Sequence, residues 1–111
     1  GDLFAATAGV DVDEALVLVA LDVSGRSFLR FEVPMPQARV GAFDTELVRE
    51  FFEAVVRPLG LTLHIRLLSG ENAHHVIEAV FKGFGRALAE AAGPDPDFWD
   101  EIPSSKGVLD S

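Results

Sequence analysis

The sequence predicts an α/β fold of the α+β two-layer kind: a mostly antiparallel or mixed four-stranded sheet with two helices on one face. Three observations carry this. Leu61 to Leu67 alternates apolar and polar residues without a break. Two segments, near residues 45–57 and 73–92, repeat apolar residues at helical spacing. The elements follow the order strand, strand, helix, strand, helix, which packs most simply as two layers. The 111 residues suggest one domain, and 49% hydrophobic content supplies a core.

Leu3 to Val10 reads as a short strand, broken by the acidic run Asp11 to Glu14. Ala15 to Leu21 is a continuous apolar run whose valines favour a buried strand. Asp22 to Arg26, with Ser24-Gly25, is a turn; Phe28 to Val33 then follows as a strand, which predicts a hairpin. Pro34 to Arg39 is a loop. Asp44 or Thr45 can cap the next helix, in which Leu47, Val48, Phe51, Phe52 and Val55 form one apolar face. Pro58 and Gly60 close it. In the following strand Leu61, Leu63, Ile65 and Leu67 share a face, and Thr62, His64 and Arg66 the other. The second helix runs from about Ala73 to Ala92, with Val76, Ile77, Val80, Phe81, Phe84, Leu88 and Ala91 as its apolar stripe. Gly93-Pro94 stops it, and residues 95–111 form an irregular tail.

The net charge of −9 argues against nucleic acid or an anionic membrane as partner. There is no cysteine, so disulfides and thiolate metal sites are excluded. No apolar run reaches the ~20 residues of a membrane span, and no signal peptide is visible. The chain is expected to be soluble and cytoplasmic.

Chemistry concentrates on the second helix. Each helical residue turns about 100°, so His74, Glu78 and Lys82 form one row, with His75 and Arg86 beside it. Imidazoles with a carboxylate suit Mn, Fe or Zn. Adjacent histidines diverge too far to chelate one ion easily, but could serve two ions whose other ligands come from elsewhere. A solvated helix start with an ordinary Glu78–Lys82 pair fits the same spacing. His64 reads as a structural histidine. Ser24-Gly25-Arg26 and Ser104-Ser105-Lys106-Gly107 are either anion sites or a polar turn and a frayed tail. Asp13 and Glu14 are either functional or simply solvated carboxylates.

The stretches "DEALVLVALDVSGR", "FDTELVREFF", "LTLHIRLLSGENAHHVIEAVFKGFGRALAEA" and "IPSSKGVL" together resemble the imidazoleglycerol-phosphate dehydratase family of histidine biosynthesis. The likeness covers roughly Asp11 to Leu109. It implies a ribosomal protein S5 domain 2-like half-domain and an enzyme that dehydrates imidazoleglycerol phosphate to imidazole acetol phosphate. The family uses two Mn²⁺ ions per complete site, which bind the substrate's imidazole. His74, His75 and Glu78 match ligand positions, with Glu78 also suited to shuttle protons. Some relatives place a histidine ligand where this chain has Glu50, and a carboxylate can also bind Mn²⁺. Arg26, Lys82, Ser104, Ser105 and Lys106 match positions around the substrate phosphate. Asp13 and Glu14 match an acidic pair near the substrate and are further catalytic candidates.

The family chain consists of two similar halves, each with its own HHxxE, and this sequence resembles the second half. Asp11-Val12 stands where Pro-Met is usual, and the basic segment before it is missing. A fragment is one expectation; a single-copy version that assembles with itself is the other. A homo-oligomer, or an N-terminal half acting in trans, follows. The competing expectation is a non-catalytic, oligomerising half-domain. A generic metal-binding protein would not explain Ser-Gly-Arg and Pro-Ser-Ser-Lys-Gly occurring together.

Overall fold

The structure is a computed structural model that describes residues 5–35 and 37–93. The strands are β1 (Ala5–Val12), β2 (Ala15–Val23), β3 (Phe28–Glu32), β4 (Arg39–Val40), β5 (Phe43–Asp44) and β6 (Leu61–Ser69). The helices are α1 (Glu46–Leu59) and α2 (Ala73–Ala92). The main sheet has the order β1-β2-β6-β3, and β4 and β5 form a separate small ribbon. α2 packs on β1 and β2, while α1 packs on β3 and β6. The mixed four-stranded sheet with its two helices is thus the sandwich that the sequence predicts.

Alternation sets the core. Val17, Val19 and Leu21 from β2 meet Leu61, Leu63 and Ile65 from β6, all buried under the helices. Phe52 of α1 is fully buried against Phe31, Phe81 and Phe84. Burying one such ring is worth about 1.5–3 kcal/mol. The other sheet face exposes Leu16, Leu18 and Phe28. His64 lies there too, tilted against Phe28 with ring centroids 5.6 Å apart. No helix among the described residues is long and apolar enough to cross a membrane.

Several local expectations are corrected. β1 extends to Val12, so the acidic break shrinks to the two-residue turn Asp13-Glu14. Asp13 sits at φ 52°, a left-handed conformation that Asp tolerates better than most residues. This turn makes the first hairpin, β1 with β2. The predicted β2–β3 hairpin does not form: β6 inserts between those strands, antiparallel to β2 and parallel to β3. The β2–β3 loop therefore crosses the start of β6, where Gly25 N–H donates to Gly60 O at 3.0 Å. Both glycines have positive φ, and a Cβ on Gly60 would lie 3.1 Å from the Gly25 Cα. Residues 39–44 form the small β4–β5 ribbon beyond the predicted loop.

The helices are also rotated from the predicted faces. On α1 the buried row is Val48, Phe52 and Val56, leaving Leu47 and Phe51 exposed. On α2 the buried face is Ala73, Val76, Ala79, Val80, Gly83 and Ala87, with Phe81 exposed at its edge. Small residues win this face because α2 lies close to β2: a Cβ on Gly83 would come within 2.7 Å of Val19 Cγ2. Thr45 occupies the N-cap of α1, but Asp44 Oδ1 accepts from Glu46 N–H at 2.9 Å. The buried Thr45 hydroxyl turns back to the carbonyls of Gln37 and Ala38.

Candidate metal and substrate site

Antiparallel β2 and β6 bring the Asp13-Glu14 turn to the same end of the sheet as the segment entering α2. That segment is held by side chains. Glu14 Oε2 accepts from the backbone N–H groups of Glu71 and Asn72, both at 3.0 Å. Gln37 Oε1 accepts from Ala73 N–H at 3.0 Å. Asn72, the N-cap, accepts from His75 N–H at 3.2 Å. Helix starts leave such donors unpaired, and here two loops and the cap satisfy them. Glu14, Gln37, Glu71, Asn72 and His75 line an open depression.

His75 stands between two carboxylates. Its Nδ1 lies 2.6 Å from Glu14 Oε1, and its Nε2 lies 3.3 Å from Asp13 Oδ2. The Glu71 N–H, then the His75 ring and the Asn72 N–H, hold the Glu14 carboxyl at about 2, against an ordinary 4.5. The hydrogen bond to Glu14 raises the His75 ring above its usual value, against partial desolvation, and the charges of Glu14, Asp13 and Glu78 add to the rise. His74 is more exposed and faces Glu78, Nε2 to Oε1 at 3.8 Å. The other oxygen of Glu78 lies 3.4 Å from Lys82 Nζ. The two imidazoles are 6.2 Å apart, centroid to centroid, at 62°.

The row His74, Glu78, Lys82 is therefore as the spacing predicts, and each histidine has its own carboxylate. Among the described residues, no three His, Asp or Glu side chains converge to hold an ion by themselves. The donor set, imidazole and carboxylate, suits a divalent ion. Glu50 stands on the exposed side of α1; among the described residues it makes no hydrogen bond or ion pair with either histidine. Arg26 lies at the opposite end of the sheet from His75, because the nine residues of β2 separate the turns that carry Arg26 and Glu14. At about 3.3 Å per residue that is about 30 Å. Ser104, Ser105 and Lys106 lie outside the described residues. Sequence reasoning missed Gln37 and Asn72. Asn72 carried a readable signal, Asn directly before a helix; Gln37 carried none, being 36 residues from its partner.

Residues 5–88 match the family model described as imidazoleglycerol-phosphate dehydratase. An imidazoleglycerol-phosphate dehydratase of Synechococcus is 58% identical over 99 residues, 89% of this chain and 49% of that protein. The chloroplastic imidazoleglycerol-phosphate dehydratase 1 of Arabidopsis thaliana is 55% identical over 98 residues, 88% of this chain and 36% of that protein. The crystal structure of the Staphylococcus aureus imidazoleglycerol-phosphate dehydratase superposes with a TM-score of 0.78 and 49% identity, over 80% of this chain and 52% of that one. This chain spans about half the length of most such relatives. The chain belongs to the imidazoleglycerol-phosphate dehydratase family.

Proposed function

We propose that this chain serves the Mn²⁺-dependent dehydration of imidazoleglycerol phosphate to imidazole acetol phosphate in histidine biosynthesis. We propose further that it works as a homo-oligomer, or with an N-terminal half in trans. The carrying observation is the split histidine pair: His75 stands beside Asp13 and Glu14, and His74 beside Glu78. When bound, Mn²⁺ supplies a Lewis acid that draws electron density from the substrate's imidazole. His74, His75 and Glu78 would hold it, with Glu50 as a further ligand. Glu78 would take a carbon-bound proton and return one as hydroxide leaves as water. Asp13 offers a second carboxylate beside His75. Lys82 would meet the phosphate two turns along α2. Arg26, Ser104, Ser105 and Lys106 complete the phosphate set.

Assembly is supported by two observations. Arg26 and His75 sit at opposite ends of one chain, so a site using both draws on more than one copy. Leu47, Phe51 and Phe81 leave apolar surface on the helix layer, with the Phe51 and Phe81 rings 5.3 Å apart. A cytoplasmic setting goes with this reading, in keeping with a chain free of cysteine. One observation favours a second reading, a non-catalytic assembling module: no three ligands converge among the described residues.

A dehydratase assay of the purified chain, with and without Mn²⁺ and beside His75→Ala, separates the two. Product formed only with Mn²⁺, and lost in His75→Ala, supports the enzyme. No product from a chain that binds Mn²⁺ leaves the module. A chain that binds no Mn²⁺ under any condition overturns both metal readings.

A further inference from the structure

We propose that Glu14 is a positioning residue: its carboxylate fixes His75 as the Nδ1–H tautomer and so aims the lone pair of Nε2 outward as the ligand atom. This deepens the metal reading above and rests on it. Both Glu14 oxygens are committed within the chain. Oε1 meets His75 Nδ1 at 2.6 Å, and Oε2 accepts two backbone N–H groups, from Glu71 and Asn72. A neutral imidazole carries one N–H and one lone pair, and the hydrogen bond made by one nitrogen decides the role of the other. An ionised carboxylate only accepts, so Nδ1 must donate. Nε2 is left facing Asp13 Oδ2 at 3.3 Å.

Glu14 is itself anchored. It belongs to the tight β1–β2 turn, and Ser69 Oγ donates to its carbonyl at 3.2 Å, tying the turn to the end of β6. The hairpin thereby sets the ring's rotation and tautomer before any ion arrives. His74 has no such device: its side chain is 69% exposed and its partner Glu78 faces Nε2. Carboxylates of this kind behind a ligating histidine typically change metal affinity by about 10- to 100-fold.

The test is long-range ¹H–¹⁵N correlation NMR on the metal-free full chain, at a pH above the titration of the ring. Unmodified protein should show His75 protonated at Nδ1 and bare at Nε2. In Glu14→Gln the single amide oxygen should go to the two backbone N–H groups, leaving the NH₂ to face Nδ1. The tautomer should then switch to Nε2–H, and Mn²⁺ affinity, read from free Mn²⁺ by EPR, should fall about 10- to 100-fold. Glu14→Ala should release the ring to the mixture of free imidazole, which gives a second reading should Glu14→Gln fold poorly. Finding Nε2–H in the unmodified protein overturns the proposal, as does a Glu14→Gln chain with unchanged tautomer and affinity. A tautomer that switches in a chain that never binds Mn²⁺ supports the positioning of His75 and sinks the metal reading instead.

Discussion

At the scale of single residues, the Glu14–His75 contact couples the candidate site to stability. Glu14 has its pKa lowered by the Glu71 N–H, then by the His75 ring and the Asn72 N–H, so its contribution is present above the unfolded value of 4.5 and is lost as pH falls towards about 2. His75 has its pKa raised, so its contribution is complete below the unfolded value of 6.5 and is lost as pH rises through the folded one. Both are in force between the two unfolded values. Urea midpoints of the native chain and Glu14→Gln, measured across pH, should therefore differ most between those values. The difference should vanish in acid. It should shrink partway in base, where the two backbone N–H bonds to Glu14 persist. A difference independent of pH would show that the contact does not form in solution.

At the scale of elements, α2 tests how tightly a helix is seated. Gly83 faces Val19 with no room for a Cβ, whereas a Cβ on Gly85 meets nothing within 4 Å. Gly83→Val should cost about 1–3 kcal/mol by overpacking. Gly85→Ala should gain up to about 1 kcal/mol from helix propensity. Urea denaturation reads both, and equal effects at the two positions would refute this seating of α2. Much of this level was legible in the sequence. The alternation of Leu61, Leu63 and Ile65 marks β6 and its buried face correctly. Helical spacing marks both helices, and HHxxE marks the exposed row. What was not legible is long-range. Ser24-Gly25 reads as a hairpin turn, yet nothing local says that β6, arriving some 36 residues later, will part the strands. The apolar faces of the helices were readable, but not their rotation on the sheet, which leaves Phe51 and Phe81 outside and Gly83 inside. Glu14 was readable as acidic, but its clamp on residues 57 to 61 positions away comes only from the fold.

At the scale of the whole molecule, the candidate residues are divided between the two ends of the sandwich. His74, His75, Asp13 and Glu14 gather at one end, and Arg26 at the other. In a chain of net charge −9, local cations such as Arg26 and Lys82 are the places proposed to hold a phosphate. Association should bury the apolar surface of Leu47, Phe51 and Phe81. Phe51→Glu should therefore leave the secondary structure intact, by circular dichroism, and lower the molar mass by light scattering. An unmodified chain that stays monomeric at micromolar concentration would contradict assembly through this face.

The family's chemistry is proposed to survive in this chain once copies share their ligands. Its most direct test is the rate of imidazole acetol phosphate formation, with Mn²⁺ present, as a function of chain concentration. The rate should rise more steeply than in proportion to concentration while copies associate, and should disappear in His75→Ala. A Mn²⁺-bound, fully assembled chain that forms no product would contradict it.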